Sequence, residues 1–273
     1  MKVNLIYILL ISALWPICCN AAGRRGHYPT SIEDVLKLDD EDIDLAASVL
    51  LVSKRWNNQL NVNYYINAID SYADDVRKAM GKNASSRKVC EAINNLLFYK
   101  LGFKAIDSAD NADDLFLNTV IDNKRGYCLS LSILYLVIGE RLDLPLYGVA
   151  APGHFFVRCD DGVSSFNIET TQMGVSVSDK HYIEKFSVPN SSRQNFYMRN
   201  LTKKETIGCL FNNLANIYMS HDQIEYAFYY QKLSVALNPM LAEAKTNLGN
   251  IYLRKNMTDL AIEQYQTALE INP

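Results

Sequence analysis

The sequence predicts an α+β domain that begins with helices and is followed by an all-α region. Two observations support this expectation. A long apolar segment that begins at Cys128 predicts a helix, and three short strand-like runs with turn signals between them follow it. A helix followed by antiparallel strands is typical of α+β folds. Beyond the strands the sequence repeats itself at a period of 34 residues, which is typical of stacked helix pairs.

The composition is that of a globular protein with a substantial core. The chain has 273 residues, of which 49% are hydrophobic and 21% are charged, enough for one large domain or two modest ones. Its 27 lysines and arginines are balanced by 30 aspartates and glutamates, which gives a net charge of −3. Nucleic-acid binders carry a basic surface instead, so we expect no nucleic-acid partner.

The N-terminal segment has the layout of a secretory signal peptide. One lysine precedes an apolar stretch from Val3 to Cys18, and small residues follow it up to Ala22. We therefore assign residues 1–22 to a signal peptide and expect a secreted or periplasmic protein. The apolar stretch is shorter than the roughly 20 residues that a membrane span needs. A membrane-anchored protein with an uncleaved N-terminal segment is the alternative, and membrane contact is expected only in that case.

The cysteines that remain after cleavage are widely and irregularly spaced. They are Cys90, Cys128, Cys159 and Cys209. The spacing contains no Cys-x-x-Cys pair, so it indicates neither a zinc site nor a dense disulfide framework. The acidic run at residues 38–44 resembles a calcium loop but lacks the glycine and the closing glutamate of that loop, so it predicts a helix N-terminus instead. We expect no metal and no cofactor.

Residues 30–117 are predicted to form four or five helices. Thr30 is expected as an N-cap, with Glu33 at the spacing of a capping box. The periodic run EAINNLLFYKLGF ends at Gly102, as helices commonly end at glycine.

The next segment is predicted to form a buried helix and three strands. The run CLSLSILYLVIGERL predicts the helix, and Gly126 just before it permits a tight entry. The runs LPLYGVAA, HFFVRC and VSSFNIETT predict short strands, separated at Pro152-Gly153 and at residues 160–162.

Two C-terminal segments can be aligned at the period of 34 residues. Equivalent positions hold Leu214 and Leu248, Ala215 and Gly249, Tyr218 and Tyr252, Ala227 and Ala261, Pro239 and Pro273. This period and these residue classes resemble tetratricopeptide repeats, which gather protein partners on a concave face. We expect two such repeats at residues 206–273, and a polar linker at residues 187–205. An independent stack needs about three repeats, so either these repeats lean on the preceding domain or the natural chain continues beyond them.

Cys128 is predicted to lie in the first turn of its helix. Unpaired backbone N–H groups and the helix dipole stabilise a thiolate there, and Lys124 and Arg125 add positive potential. A cysteine in an apolar helix is equally typical of an inert core residue. The helix alone leaves both interpretations open.

The strands favour a nucleophile. Side chains alternate along HFFVRC, so Cys159 lies on the face opposite to His154. A two-residue turn at Asp161-Gly162 would place His154 directly opposite Glu169, with Asn167 diagonally nearby. We expect a four-residue loop to give the same pairing, and a three-residue loop to turn Glu169 away. A thiol, an imidazole and a carboxylate or amide are the parts of a cysteine nucleophile site.

The motif RGYCLSLSILYLVIGERLDLPLYGVAAPGHFFVR, with INNLLFYKLGF before it and FNIETTQMG after it, resembles the transglutaminase-like superfamily. Specifically, it resembles the bacterial branch that has C-terminal tetratricopeptide repeats. The resemblance covers about residues 39–273. It implies that residues 30–186 form a transglutaminase-like domain with a helical N-terminal part and a papain-like core.

The resemblance also implies roles for individual residues. Cys128 would be the nucleophile, His154 the general base and Glu169 the group that orients the histidine. The superfamily usually has an aspartate in a sequence like Asp-Pro-Thr at the third place, whereas this chain has Glu169-Thr170-Thr171. Asn167 is therefore a second candidate for that role.

The function implied by the resemblance is acyl transfer at an amide of a protein or peptide through a thioester. Water or an amine would resolve the thioester, so the activity is that of a cysteine peptidase, an amidase or a transglutaminase. Asn118 and Asn123 are candidates for an oxyanion donor beside the Cys128 amide. Some members of the branch lack the cysteine and are presumed to be non-catalytic. A pseudo-enzyme scaffold that binds proteins through its repeats is therefore the alternative.

Overall fold

The computed structural model describes residues 29–80, 84–190 and 196–272. The predicted signal peptide, residues 1–22, lies outside the described residues, as does Pro273. Within the described part, no helix has both the length and the apolar character that a membrane crossing requires.

The fold is α+β, as predicted. Its helices are α1 (Ile32–Lys37), α2 (Leu45–Trp56), α3 (Val62–Ala79), α4 (Ser86–Asn94), α5 (Leu117–Asn123), α6 (Cys128–Arg141), α7 (Asp179–Lys185), α8 (Lys203–Ser220), α9 (Ile224–Leu237), α10 (Ala242–Arg254) and α11 (Thr258–Ile271). A π-helical segment, Asn95–Lys100, continues α4. The strands are β1 (Lys104–Ala105), β2 (Arg125–Gly126), β3 (Leu146–Ala151), β4 (His154–Asp160) and β5 (Ser165–Ile168).

The core is built around α6 and a three-stranded antiparallel sheet in the order β3-β4-β5. Helix α6 is buried over nearly its whole length, with Leu134, Tyr135 and Val137 fully inside. The Tyr135 hydroxyl donates to the carbonyl of Cys90 on α4 at 2.9 Å, which satisfies its buried polar group. The predicted buried helix is thus the element on which the sheet and the N-terminal helices pack.

The N-terminal helices start with side-chain caps. The N-cap of α1 is Ser31, which forms a capping box with Asp34. The prediction of Thr30 and Glu33 was therefore wrong by one residue. In the acidic run, Asp44 caps α2 by accepting from the backbone of Ala47 at 2.8 Å, so this run does form a helix N-terminus.

The β4–β5 hairpin has a four-residue loop, Asp161 to Ser164, because Asp160 pairs with Ser165. The predicted pairing was wrong by two residues: Asn167 lies opposite Arg158, and Glu169 follows the end of β5. The shift is even, so Glu169 keeps the face that the sequence predicted. The Asp161 carboxylate holds the loop by accepting from the backbone of Val163 at 3.0 Å and of Ser164 at 2.7 Å.

The repeat helices pack directly against the core. Gly148 on β3 lies so close to α8 that a Cβ atom there would come within 3.0 Å of the Thr206 hydroxyl. The end of the predicted linker also packs here: Leu201 is buried and its backbone bonds to Gly148 at 2.9 Å. Trp56 of α2 donates to the Tyr230 hydroxyl of α9 at 2.7 Å. One hydrophobic cluster therefore runs from the N-terminal helices into the repeats.

Substituting Ala261 tests the packing of the last helix pair. Ala261 on α11 is fully buried, so Ala261→Trp is expected to lower the free energy of unfolding by about 3 kcal/mol through overpacking. We expect urea unfolding to show this loss, and limited proteolysis to cut first within α10 and α11. Ile262→Trp, at a half-exposed neighbouring position, is the control. Equal protease sensitivity along the whole chain would contradict a separate repeat region.

Candidate active site

A cavity of about 420 Å³ opens between the core and the repeats. Cys128, at the start of α6, and His154, at the start of β4, lie on its core side. The repeat side is lined by Cys209, Asn212, Asn213, Asn216, Glu243 and Asn247. Residues that the sequence predicts to be catalytic thus line the same cavity as helices that it predicts to bind proteins.

Cys128 is the first residue of α6, as predicted, and is 5% exposed. Gly126 allows this tight entry, because a Cβ atom there would lie 2.9 Å from the Ser130 hydroxyl. That hydroxyl accepts from the backbone N–H of Tyr127 at 2.9 Å and donates to the carbonyl of Asp114 at 2.8 Å. The sequence and the local packing thus hold the Cys128 thiol at the N-terminal, positive end of the α6 dipole.

His154 links Cys128 to Glu169. Its Nε2 atom lies 2.7 Å from Oε2 of Glu169, and the Cys128 thiol is close enough to the ring to raise its pKa. With Nε2 engaged by Glu169, Nδ1 is the ring nitrogen that remains for the sulfur. The other carboxylate oxygen of Glu169 accepts from the backbone N–H and the hydroxyl of Thr171 at 3.0 and 2.6 Å. The imidazole therefore lies between the thiol and the carboxylate and is hydrogen-bonded to the carboxylate.

The electrostatics around His154 favour the protonated, charged form of its imidazole. Burial opposes protonation of His154, but its hydrogen bonds to Cys128 and Glu169 outweigh burial and raise the pKa of the imidazole to about 9. Burial likewise opposes ionisation of Glu169, yet the bonds from His154 and Thr171 lower the pKa of this carboxyl below its ordinary value. An imidazolium beside a carboxylate is thus the stable form at neutral pH.

Aromatic rings hold the histidine in place. Phe186 stacks on the His154 ring with centroids 4.5 Å apart and planes within 7°. Tyr182 of α7 donates its hydroxyl to Oε2 of Glu169 at 3.0 Å. Tyr182 itself stacks on Phe156 of β4 at 3.8 Å. Helix α7 therefore fixes both the imidazole and the carboxylate.

Asn167 belongs to a different network. Its carbonyl oxygen accepts from Nε of Arg158 at 2.8 Å, and its NH₂ group donates to the carboxylate of Asp179 at 2.6 Å and to the carbonyl of Val177 at 2.9 Å. Arg158 also donates to Asp179 at 2.6 Å. Both polar atoms of the Asn167 amide are thus engaged away from the histidine, and the geometry favours Glu169 as its partner.

Two tyrosines next to Cys128 and Glu169 were not predicted from the sequence as site residues. The Tyr127 hydroxyl lies within hydrogen-bonding reach of the Cys128 thiol, and burial, followed by this contact, raises the pKa of the phenol to about 12. Tyr182 reaches Glu169 only because α7 folds back over the sheet. Asn118 and Asn123, the predicted oxyanion donors, are not among the residues that line the cavity.

The other thiols differ from Cys128 in their surroundings. All four cysteines of the described part are free and buried. Burial, followed by the charge of Glu205, raises the pKa of Cys209 to about 12. A hydrogen bond with Cys159 and burial raise the pKa of Cys90 well above its ordinary value. Only Cys128 of these four contacts a histidine that faces the cavity.

The histidine–glutamate pair predicts a pH dependence of stability. The folded pKa of His154, about 9, exceeds the ordinary 6.5, so its stabilising effect is full below about pH 6.5 and fades as the pH rises through 9. The lowered pKa of Glu169 keeps its own effect present above its ordinary value of 4.5. We expect Glu169→Gln to lower the free energy of unfolding more at pH 6 than at pH 9.5 in urea titrations. The exposed Glu270→Gln is the control, and equal losses at both pH values would contradict the assignment.

Among residues 29–80, 84–190 and 196–272, no three histidine, cysteine, aspartate or glutamate side chains are grouped so that they could hold a metal ion.

Two family models match the sequence. The sequence model of the transglutaminase-like superfamily matches residues 63–208, more than half of the chain, and spans Cys128, His154 and Glu169. A tetratricopeptide repeat model matches residues 242–273, which include α10 and α11. The chain thus combines an enzyme-like domain with a repeat of a type that binds proteins.

Related proteins match this chain over different shares of its length. A UPF0162 protein of Xylella fastidiosa strain Temecula1 is 26% identical over 249 residues, 86% of each chain. UPF0162 protein YchA of Escherichia coli K12 is 29% identical over 189 residues, 65% of this chain and 68% of that protein. The mouse F-box only protein 21 is 32% identical over 101 residues, which cover 36% of this chain and 15% of that protein. On the strength of the match over residues 63–208, this chain belongs to the transglutaminase-like superfamily.

Proposed function

We propose that this protein is a cysteine acyltransferase or amide hydrolase that acts on proteins or peptides. The observation that supports it best is that Cys128 and His154 line the same cavity, with the imidazole hydrogen-bonded to Glu169. Cys128 is the nucleophile, His154 the acid and base, and Glu169 the group that orients and balances the imidazolium.

The proposed reaction has two steps. The Cys128 thiolate attacks the carbonyl carbon of an amide, the C–N bond breaks, and His154 gives its proton to the leaving nitrogen. Neutral His154 then takes a proton from water or from an incoming amine, which displaces the sulfur and releases an acid or a new amide. Backbone N–H groups at the start of α6 and the Tyr127 hydroxyl are the donors for the oxyanion.

The position of the repeats supports a polypeptide substrate. Residues of α8 and α10 form one side of the cavity, so any molecule that reaches Cys128 also contacts the repeats. Tetratricopeptide repeats bind proteins through such concave surfaces. We therefore assign substrate selection to the repeats as well as to the core.

The alternative function is a non-catalytic scaffold that uses the same repeats. The nearly complete burial of Cys128 is the observation that favours it, because structural cysteines are buried and inert.

Acetyl transfer from p-nitrophenyl acetate distinguishes the two functions. The proposal requires a rapid release of p-nitrophenolate, with the acetyl group recovered on Cys128 by mass spectrometry of tryptic peptides. Cys128→Ala should remove this release. Acetylation of Cys128 at the rate of Cys209, whose thiol has its pKa raised to about 12, would favour the scaffold.

We also propose that the protein is exported. The apolar N-terminal segment with one preceding lysine and following small residues supports this. N-terminal sequencing of protein recovered from expressing cells is expected to give a start near Ala22 or Gly23. A start at Met1 would contradict export by cleavage, and membrane fractionation then tests for an anchor.

A further inference from the structure

Glu243 lies where the cavity of Cys128 meets the repeat surface. It is in the first turn of α10 and lines the cavity that contains Cys128 and His154. It also lines an adjoining groove of about 510 Å³, together with Thr246, Tyr265 and Leu269. Tyr197 and Asn247 are common to both spaces. Glu243 is thus placed at the passage between the repeats and the thiol.

The carboxylate of Glu243 has no cationic partner among the described residues, and its own backbone N–H is the contact that favours its charged form. Its Oε2 atom is buried and accepts no hydrogen bond within the described part of the chain. Burial raises the pKa of this carboxyl above its ordinary value. No lysine or arginine is among the described residues that line the cavity, and Glu243 is the one carboxylate among them.

Other carboxylates with little exposure in this protein have cationic partners. The pairs are Asp44 with Arg141 at 2.8 Å, Glu140 with Lys203 at 2.5 Å, and Glu205 with Arg199 at 2.5 Å. A buried carboxylate without a partner is costly, and such groups in proteins are normally paired. The exception at Glu243 therefore indicates a partner from outside the chain.

We propose that Glu243 binds the cationic side chain of a lysine or arginine in the polypeptide whose amide reacts at Cys128. This inference rests on the proposed function, because it names the class of substrate for that site. Glu243 contacts the bound substrate and not the reacting atoms, so it determines specificity rather than chemistry.

The surroundings of Glu243 suit a peptide. The carboxamides of Asn212, Asn213 and Asn216 line the same cavity. A carboxamide both donates and accepts hydrogen bonds, as a peptide backbone does. The carboxylate then supplies the charge that distinguishes basic from neutral or acidic side chains.

Peptide probes that alkylate cysteine test this proposal. The probes are short peptidyl acyloxymethyl ketones in which one position, scanned along the peptide, holds lysine, norleucine or glutamate. The rate of Cys128 labelling is measured for each probe and, in parallel, for iodoacetamide. For the wild type we expect at least one lysine probe to react about tenfold faster than its norleucine counterpart.

Variants of Glu243 give the decisive comparison. Glu243→Gln, which keeps the size of the side chain, should reduce this ratio to near one, and the rate with iodoacetamide corrects each ratio for any change in the reactivity of the thiol. Glu243→Lys should make the glutamate probe the fastest. Glu270→Gln, at an exposed position of α11, should keep the wild-type ratio.

The outcomes separate this inference from the proposed function. If Cys128 reacts rapidly with iodoacetamide but the lysine-to-norleucine ratio is the same in the wild type and in Glu243→Gln, the role of Glu243 is overturned and the nucleophile stands. If Cys128 reacts with neither reagent, both are overturned.

Discussion

His154→Ala is expected to slow acetylation of Cys128 by p-nitrophenyl acetate by about 10²–10⁴-fold at neutral pH, the usual contribution of a general acid–base group. The imidazole lies beside the thiol, and its raised pKa of about 9 keeps it positively charged at neutral pH. Alanine removes both the base and the charge. It also leaves Glu169 buried with one partner fewer, so the variant should first be shown to be folded by circular dichroism.

The control for this variant is His181→Ala. His181 lies on α7 but is exposed, and it is not among the residues that line the cavity. Its replacement is expected to leave acetylation of Cys128 unchanged. Acetylation that is equally fast in His154→Ala and in the wild type would remove the histidine from the mechanism.

Glu169→Gln is expected to slow the same reaction by about 100-fold or more. The backbone N–H of Thr171 bonds one oxygen of Glu169, so a glutamine there is held with its carbonyl toward Thr171 and its NH₂ group toward His154. That NH₂ group donates to Nε2, which favours the tautomer with a proton on Nδ1. Because Nδ1 faces Cys128, the histidine can no longer accept the thiol proton.

Asn167→Ala tests whether Asn167 or Glu169 orients the imidazole of His154. Asn167 bonds Arg158 and Asp179 and not the histidine, so its loss is expected to lower stability in urea titrations while acetylation changes little. A larger effect on acetylation at Asn167 than at Glu169 would transfer the role to the amide.

Local sequence rules predicted much of this site. A helix that starts at Cys128 and a strand that starts at His154 follow from apolar patterning and turn residues, and both are confirmed. The face of the sheet on which Glu169 lies depends only on whether the β4–β5 loop has an even or an odd number of residues. The exact register was wrong because the four-residue loop lies at residues 161–164 and not at 160–163. The Asp161 carboxylate bonds two backbone N–H groups and stabilises the loop at this position, which the Asp-Gly dipeptide does not reveal.

The other parts of the site depend on contacts between distant segments. Arg158 and Asp179 determine that Asn167 faces away from the histidine, and they lie on β4 and α7. Glu243 reaches the cavity only because the repeats pack against the core. No periodicity or motif in the sequence specifies how these elements dock, so the sequence predicts Cys128 as a candidate nucleophile but gives no sign of Glu243.

The pH dependence of alkylation tests the central claim most directly. The folded protein is treated with iodoacetamide between pH 5 and pH 10, and labelling is followed at each cysteine by mass spectrometry. If Cys128 and His154 form a thiolate–imidazolium pair, labelling of Cys128 stays fast well below about pH 8.5, where an ordinary thiol is largely protonated. In His154→Ala the profile moves to higher pH. Two results in the wild type would contradict the account. One is labelling of Cys128 that is as slow as labelling of the buried Cys209 at every pH, and the other is labelling of Cys128 that rises only near pH 8.5.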